Sequence, residues 1–140
     1  DFIEVVGAPS LRGLDVDMRD IPDTAQTLAT VAPFANSPTR IRGIASARLK
    51  ETDRVHATCT ELTRLGIRVE EHEDGMTIYP VGKMRPAVIQ TYNDHRMAMA
   101  FATLAMFGEI LIKDPFVVEK SYPKFWEDMA KLGFQIEEND

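Results

Sequence analysis

Cations in this chain gather at the starts of predicted helices, where acidic side chains are normally favoured. A helix N-terminus carries partial positive charge, so a cation there costs a few tenths of a kcal/mol unless an anion is present. With an anion bound, the same placement adds to a ready-made anion site. Repetition at three helix starts indicates a surface that binds an anionic ligand. The residues are Arg48, Lys50 and Arg54 at the first start, His95 and Arg96 at the second, and Lys120 at the third.

An alternative for the first cluster is a solvated face of ion pairs. Glu51 and Asp53 flank Lys50 and Arg54 in the sequence, and exposed charges that pair with each other need no ligand. One such cluster alone would favour this structural interpretation. Cations at three helix starts, distributed over two similar segments of the chain, favour the anion-binding surface instead.

Asp23 follows Pro22 in the first turn of another predicted helix, and it has two interpretations. An acid at this position matches the helix dipole, which is a purely structural role. It can also act as a general base beside a basic pocket. Asp15, Asp17 and Asp20 crowd the same region, so the spacing alone does not choose Asp23 over its neighbours.

Apolar periodicity predicts four helices, and two of them end at a glycine that leads into an alternating strand. Gly66 and Gly133 are typical helix stops, because glycine enters the left-handed conformation freely. Pro33 must end or kink the first helix, and Asp94 is a suitable N-cap for the third. The predicted helices cover residues 22–35, 50–65, 95–107 and 121–132.

The distribution of apolar residues predicts which sides of these helices are buried. The third is apolar on nearly every side, so we expect it to be buried all round. The second and fourth carry apolar residues on one face. Those expected inward are Val55, Cys59, Leu62 and Leu65 on the second helix, and Phe125, Met129 and Leu132 on the fourth.

The chain repeats itself, which predicts an α+β fold of two similar units. Residues 61–71 and 128–138 are nearly copies, each with a helix end, a glycine and a strand. Weaker matches upstream extend the units to about 15–82 and 87–138, each helix–strand–helix–strand with a strand leading in. The first unit adds a hairpin strand at 76–79 after an Asp-Gly turn. Repeats of this size usually stack and share a core.

The composition excludes several classes of protein. The 140 residues hold 16 Lys and Arg against 22 Asp and Glu, a net charge of −6, so a global basic footprint for nucleic acid is absent. No stretch reaches the ~20 apolar residues of a membrane span. A single cysteine excludes an internal disulfide, and no zinc-ligand spacing occurs. The chain begins with Asp rather than Met, which suggests a piece of a longer protein.

Four segments together resemble one family, the 5-enolpyruvylshikimate-3-phosphate synthases. In chain order they read Asp-Met-Arg-Asp-Ile-Pro-Asp-Thr-Ala at 17–25, Lys-Glu-Thr-Asp-Arg at 50–54, Asn-Asp-His-Arg-Met-Ala-Met at 93–99, and Lys-Ser-Tyr-Pro at 120–123. Their order and spacing are similar to the family's, and the second and third segments are highly specific in combination. The resemblance covers essentially all 140 residues but only about the last third of such an enzyme.

The resemblance implies a fold and a reaction. Each of the family's two domains is an inside-out barrel of three βαβαββ units, so this chain would supply two units of one domain, without the N-terminal domain. The reaction transfers the enolpyruvyl group of phosphoenolpyruvate to the 5-hydroxyl of shikimate 3-phosphate and releases phosphate, a step toward the aromatic amino acids. The resemblance further implies no metal or cofactor, a monomeric cytoplasmic enzyme, and glyphosate as an inhibitor.

The family motifs imply ligand contacts for the matching residues here. Arg54 and Arg96 would hold the carboxylate of phosphoenolpyruvate, because arginine suits planar bidentate recognition. Lys50 and Lys120 would contact its phosphate side. His95 would line the site.

The implied chemistry is proton transfer. Asp23 would take the proton from the sugar-like hydroxyl as a general base. Glu51 or Lys50 would deliver a proton to the methylene carbon, and the sequence does not decide between them. Ser46 matches a substrate contact in some members, although Ala47 beside it stands where many members have Trp.

Two other functions are weaker alternatives. A UDP-N-acetylglucosamine enolpyruvyl transferase shares the fold, but the motifs at 50–54 and 93–99 argue against it. A non-catalytic anion-binding module of the same fold is disfavoured because six residues of the family motifs are present together, namely Asp23, Lys50, Glu51, Arg54, Arg96 and Lys120. The resemblance implies that much of the cleft lies outside these 140 residues, so we expect them to fold without turning over substrate.

Overall fold

The computed structural model describes residues 1–139, which form a mixed arrangement of strands and helices, so the predicted α+β class is confirmed. No helix in this range has the length and apolar composition of a membrane-spanning segment. The strands are β1 (Asp15–Asp17), β2 (Thr39–Arg42), β3 (Val69–His72), β4 (Gly75–Ile78), β5 (Val88–Ile89) and β6 (Leu111–Ile112). The helices are α1 (Ala25–Val31), α2 (Arg54–Arg64), α3 (His95–Ala102) and α4 (Phe125–Lys131).

The strands lie in two sheets, and each sheet contains one pair of parallel strands. The larger sheet has the order β1-β2-β4-β3, in which β1 and β2 are parallel and β4 is antiparallel to both of its neighbours. The smaller sheet pairs β5 with β6 in parallel. Parallel neighbours need a crossover connection, and α1 and α3 provide it in the two sheets. The predicted hairpin is the pair of β3 and β4.

The first predicted helix is helical as far as Phe34, but only its centre is α-helix. Short 3₁₀ turns at Pro22–Thr24 and Ala32–Phe34 precede and follow α1. Pro33 lies in the second turn, where the helix ends, as predicted. The buried side chains of Ala25 and Ala29 are small, so α1 packs closely against α3.

The second helix begins at Arg54, four residues later than the predicted start at Lys50. The side chain of Asp53 caps it, accepting a hydrogen bond from the backbone N–H of His56 at 3.0 Å. An N-cap residue itself has a non-helical backbone, so the helix cannot extend back through Asp53. Residues 45–49 instead form a 3₁₀ turn.

The fourth helix differs from its prediction at both ends. It begins at Phe125 rather than Ser121, since Pro123 disfavours a helical backbone for the residue before it. Phe125 and Met129 face inward as predicted, but the prediction for Leu132 was wrong. Leu132 is 77% exposed, because it lies at the C-cap, past the last turn that packs on the core.

The strand predicted after Gly133 is not formed. Gly133 has φ of +101°, so it ends the helix as expected. Residues 134–138 have no strand pairing within the described part of the chain. A strand without neighbours leaves its backbone hydrogen-bonding groups to water, so alternation alone does not stabilise it.

The core lies between the helices and the inner faces of the sheets. The predicted inward face of α2 is confirmed, and α3 is largely buried. Burial does not extend to the end of the predicted third helix, where Met106 and Phe107 are exposed. The fully buried large side chains include Ile41, Leu62, Leu65, Ile89, Met97, Phe101 and Leu104.

Candidate functional site

The N-terminal ends of α1, α2 and α3 converge on one cluster of charged side chains. Asp23 lies in the 3₁₀ turn before α1, Arg54 is the first residue of α2, and Asp94 caps α3. Lys120 reaches the same cluster from the end of the 3₁₀ turn Pro115–Lys120. These segments meet because α1 packs against both α2 and α3, and α3 packs against the turn that ends at Lys120.

Arg54 is the centre of the cluster and is only 4% exposed. Its Nε and Nη2 donate to the two carboxylate oxygens of Asp94 at 2.7 and 3.2 Å. Nη2 also donates to Glu51 Oε2 at 2.6 Å, and Nη1 donates to Asp23 Oδ1 at 3.2 Å. Asp94 is fully buried, and a two-point contact of this kind fixes the guanidinium plane. Arg54 is therefore held in place before any ligand arrives.

Asp94 also sets the start of α3. Its Oδ1 accepts a hydrogen bond from the backbone N–H of Arg96 at 2.9 Å. The Arg96 side chain reaches back to Asp23, where Nη1 donates to the backbone carbonyl at 3.2 Å and Nη2 lies 3.7 Å from Oδ2. The side chains of Arg96 and Asp23 are 37% and 49% exposed, so they form the open side of the cluster.

Glu51 accepts hydrogen bonds from two cations on different elements. Lys120 Nζ donates to Oε1 and Arg54 Nη2 donates to Oε2. The hydrogen bond from Lys120 is the largest cause that lowers the pKa of Glu51 to about 2. Glu51 is therefore an ionised acceptor at neutral pH, and its partner Lys120 keeps 57% of its side chain exposed.

His95 lies in the first turn of α3 and is almost fully buried. Its Nδ1 is 3.8 Å from Asp94 Oδ1 and has no hydrogen-bond partner among the described residues. Burial lowers the pKa of His95 and outweighs the attraction of Asp94. The imidazole is therefore neutral at neutral pH.

Two predicted site residues lie beside the cluster but do not join its contacts. Ser46 is in the 3₁₀ turn Ala45–Leu49, which packs near Pro22–Thr24, and Lys50 follows that turn. Both are exposed, and neither makes a side-chain hydrogen bond or ion pair with any residue in the described part of the chain. Their side chains are therefore available to a ligand.

Arg48 belongs to a different network. It donates to Asp53 and Glu71, both at 2.9 Å, and to the backbone carbonyl of His72 at 2.7 Å. These contacts join the segment before α2 to the β3–β4 hairpin. The ion-pair interpretation is therefore correct for Arg48, which the sequence had grouped with the anion-binding cations.

The main feature that the sequence did not predict is the contact between Asp94 and Arg54. Asp94 was identified only as a helix cap, and its second partner lies 40 residues away on α2. An Asp that directly precedes His95 and Arg96 at a helix start was the available signal. It did not indicate which cation Asp94 would bind.

The cluster combines balanced charge with an accessible edge. Three carboxylates (Asp23, Glu51 and Asp94) face three cations (Arg54, Arg96 and Lys120). Exposed cations at the edge can receive an anion, and exposed Asp23 can accept a proton beside it. Within residues 1–139, no group of three or more His, Cys, Asp or Glu side chains is arranged to hold a metal ion.

The sequence is similar to one family along nearly its whole length. The family model described as EPSP synthase (3-phosphoshikimate 1-carboxyvinyltransferase) matches residues 1–129. The 3-phosphoshikimate 1-carboxyvinyltransferases of Trichormus variabilis and Nostoc punctiforme are 48% and 51% identical to it, over 94% and 90% of this chain. The chloroplastic enzyme of Brassica napus is 49% identical over 92% of the chain. The chain spans 31%, 30% and 25% of the lengths of these three relatives.

Solved structures show the same likeness. An EPSP synthase from Acinetobacter baumannii superposes with a TM-score of 0.82 and 29% identity, covering 91% of this chain and 32% of that one. The enolpyruvyl transferase NikO from Streptomyces tendae superposes with a TM-score of 0.51 and 19% identity, covering 85% of this chain and 28% of that one. At this identity the likeness shows a common fold and nothing more.

Proposed function

This chain belongs to the EPSP synthase family, and on that premise we propose that it supplies part of an active site that transfers an enolpyruvyl group. The donor would be phosphoenolpyruvate and the acceptor the 5-hydroxyl of shikimate 3-phosphate, with release of phosphate. The observation that most supports this proposal is the convergence of Asp23, Glu51, Arg54, Arg96 and Lys120 from four separate segments. The chain spans about 31% of related enzymes, so the rest of the site would come from other parts of the whole enzyme.

The exposed cations suit the two anionic groups of phosphoenolpyruvate. Arg96 is partly exposed and can turn its planar guanidinium toward the carboxylate. Arg54 would keep Asp94 and exchange its contacts with Asp23 or Glu51 for the same carboxylate. Lys120 is exposed, as is Lys50 near the start of α2, and both would contact the phosphate.

The acidic side chains suit the proton transfers. Asp23 would take the hydroxyl proton as the oxygen bonds to the central carbon of phosphoenolpyruvate, while a proton adds to the methylene carbon. Loss of a proton from the resulting methyl group to a base of the site, with cleavage of the carbon–oxygen bond to phosphate, would complete the reaction. Glu51 is ionised while Lys120 donates to it. It would take part as a donor only after phosphate draws Lys120 away and the carboxylate takes up a proton from solvent, and Lys50 remains the other candidate.

Three further features of the whole enzyme are part of the proposal. The chain would be divided into repeat units at about 15–82 and 87–138, which the matching strand–helix–strand connections support. The enzyme would be a monomer, which sedimentation of the whole protein would check. It would also act in the cytoplasm, which cell fractionation would check.

The proposal is tested by amide NMR titration of this chain with phosphoenolpyruvate and then with shikimate 3-phosphate. We expect saturable shifts at Lys50, Arg54, Arg96 and Lys120. Lys120→Met should weaken phosphoenolpyruvate binding about tenfold, the scale of one charge-assisted hydrogen bond. Lys124→Met is the matched control, because it removes the same charge from an exposed lysine at the start of α4 and should leave binding unchanged. Equal effects of the two variants, or no shifts at millimolar ligand, would count against the assigned contacts.

A further inference from the structure

The turn that leads into α3 has an unusual backbone. Tyr92 and Asn93 are consecutive, neither is glycine, and both have φ of +54°. L-residues rarely adopt this left-handed conformation, and single instances persist only where surrounding contacts hold them. The backbone N–H of Asp94 closes the turn by donating to the carbonyl of Thr91 at 2.8 Å. Some other part of the structure must therefore hold this turn in place.

Helix α2 contacts the turn at two points. Arg54, at its first residue, binds Asp94 at the end of the turn. Glu61, seven residues later, accepts a hydrogen bond from the Tyr92 hydroxyl at 2.6 Å and one from the Gln90 backbone N–H at 3.3 Å. Seven residues are about two helical turns, so both side chains project from the same face of α2.

The contact between Glu61 and the turn is well buried. Glu61 is fully buried, so its carboxylate must be satisfied by partners. Arg64 Nε supplies a cation at 3.2 Å from Oε1, in addition to the two donors from the turn. Burial is the largest cause that raises the pKa of Tyr92 to about 12, with further contributions from Glu61. The hydroxyl therefore stays protonated and remains a donor at neutral pH.

We propose that Glu61 and Tyr92 are positioning residues of the anion site, which hold the left-handed turn so that Asp94, His95 and Arg96 meet Arg54 and Asp23. The inference rests on the proposed function, because it concerns the same site. Neither residue is among the proposed ligand contacts. Their effect passes through the turn, which sets the direction of α3 and the position of its cap.

The first test is amide hydrogen exchange of the free chain, wild type against Tyr92→Phe. Loss of the bond to Glu61 should speed exchange at Asp94 and Arg96 about tenfold, because their amides report opening of the turn. Exchange at Met76 and Ile78 in β4 should not change. Tyr122→Phe is the matched control, since Tyr122 also donates to a carboxylate, Asp128, at 2.6 Å on the surface.

The second test is a rescue of that variant. Adding Asn93→Gly to Tyr92→Phe relieves the left-handed strain at one position, since glycine adopts positive φ readily. We expect exchange at Asp94 and Arg96 to return at least halfway to wild type. Unchanged exchange in Tyr92→Phe, a uniform increase that includes β4, or no rescue by glycine would overturn the inference.

Ligand binding separates this inference from the proposed function. In titrations with phosphoenolpyruvate, Tyr92→Phe should raise the dissociation constant severalfold and Tyr122→Phe should not. Failure of the wild type to bind would contradict the proposed ligand contacts, while hydrogen exchange of the free chain would still decide whether Glu61 and Tyr92 hold the turn. Normal binding by a variant whose turn opens faster would contradict the positioning role.

Discussion

At the scale of single residues, Glu51 is the group that links two cations of the cluster. It accepts from Lys120 on one oxygen and from Arg54 on the other, and its pKa falls from an ordinary 4.5 to about 2. A carboxylate whose pKa is lowered by folding stabilises the folded state above its unfolded pKa. That contribution is lost as the pH falls through the folded value. The relevant window is therefore between pH 4.5 and 2.

We expect Glu51→Gln to lower the free energy of unfolding at pH 7 by about 1 kcal/mol, the upper range for ion pairs with partly exposed members. The difference from wild type should shrink steadily as the pH falls from 4.5 toward 2, because the unfolded wild-type chain then binds a proton at Glu51 that the folded chain does not. Urea unfolding across this range measures it. Glu119→Gln, at an exposed acid in the turn before Lys120, is the control and should show neither effect. A difference that stays constant with pH would contradict the lowered pKa.

At the scale of elements, the ion pair between Arg54 and Asp94 joins α2 to α3. The two side chains are 4% and 0% exposed, so neither charge can recover solvation if its partner is lost. Breaking a buried pair by removing one member typically costs about 3–5 kcal/mol, because the remaining charge is left uncompensated. Replacing both members costs less. The pair therefore fixes how the two helices meet more than it adds to net stability.

We expect Arg54→Met to destabilise the chain by about 3–5 kcal/mol. Adding Asp94→Asn should recover part of that loss, since the buried carboxylate is then neutral. Chemical denaturation of the single and double variants measures the coupling. The control is Arg42→Met, which removes an exposed pair with Asp15 (43% and 65% exposed) and should cost no more than about 1 kcal/mol. Similar losses for Arg54→Met and Arg42→Met would mean that burial does not govern the pair.

Sequence reasoning succeeded where the governing physics is local. The cap at Asp94, the end of the first helix at Pro33 and the inward face of α2 all depend on nearby residues, and all are confirmed. Predictions from the sequence were wrong where contacts with a distant part of the chain determine the local structure. The orientation of Leu132 depends on which surface α4 meets, and the strand predicted at 134–138 depends on a neighbouring strand.

The candidate site also combines features set by nearby residues with features set by tertiary packing. Helix starts and cations could be located from the sequence, but their pairing could not, because it depends on how α1, α2 and α3 pack. The sequence placed Arg48 and Arg54 in the same cation cluster near the start of α2. One joins the β3–β4 hairpin and the other joins the cluster. The tertiary positions of the β3–β4 hairpin and of α3 separate these two outcomes.

At the scale of the whole molecule, the described residues include an exposed apolar segment as well as the charged cluster with its open side. Phe2, Ile3, Val5 and Val6 are 80–93% exposed at the N-terminal end of the described chain. The chain also spans only 31% of the related enzyme of Trichormus variabilis. Both observations agree with the proposal that the reaction needs surfaces beyond these residues.

We therefore expect a polypeptide of these 140 residues to release no phosphate from phosphoenolpyruvate and shikimate 3-phosphate, even where phosphoenolpyruvate binds. Holding two reactants in line can lower a barrier by about 7–11 kcal/mol, and a half-site that binds one of them loses most of that advantage. A phosphate-release assay over hours, with a whole EPSP synthase as positive control, measures the outcome. Steady release that Asp23→Asn abolishes would contradict the expectation, since the general base would then work within this chain alone. Release restored by adding the remainder of the whole enzyme as a separate polypeptide would locate the deficit in the missing surface rather than in the fold.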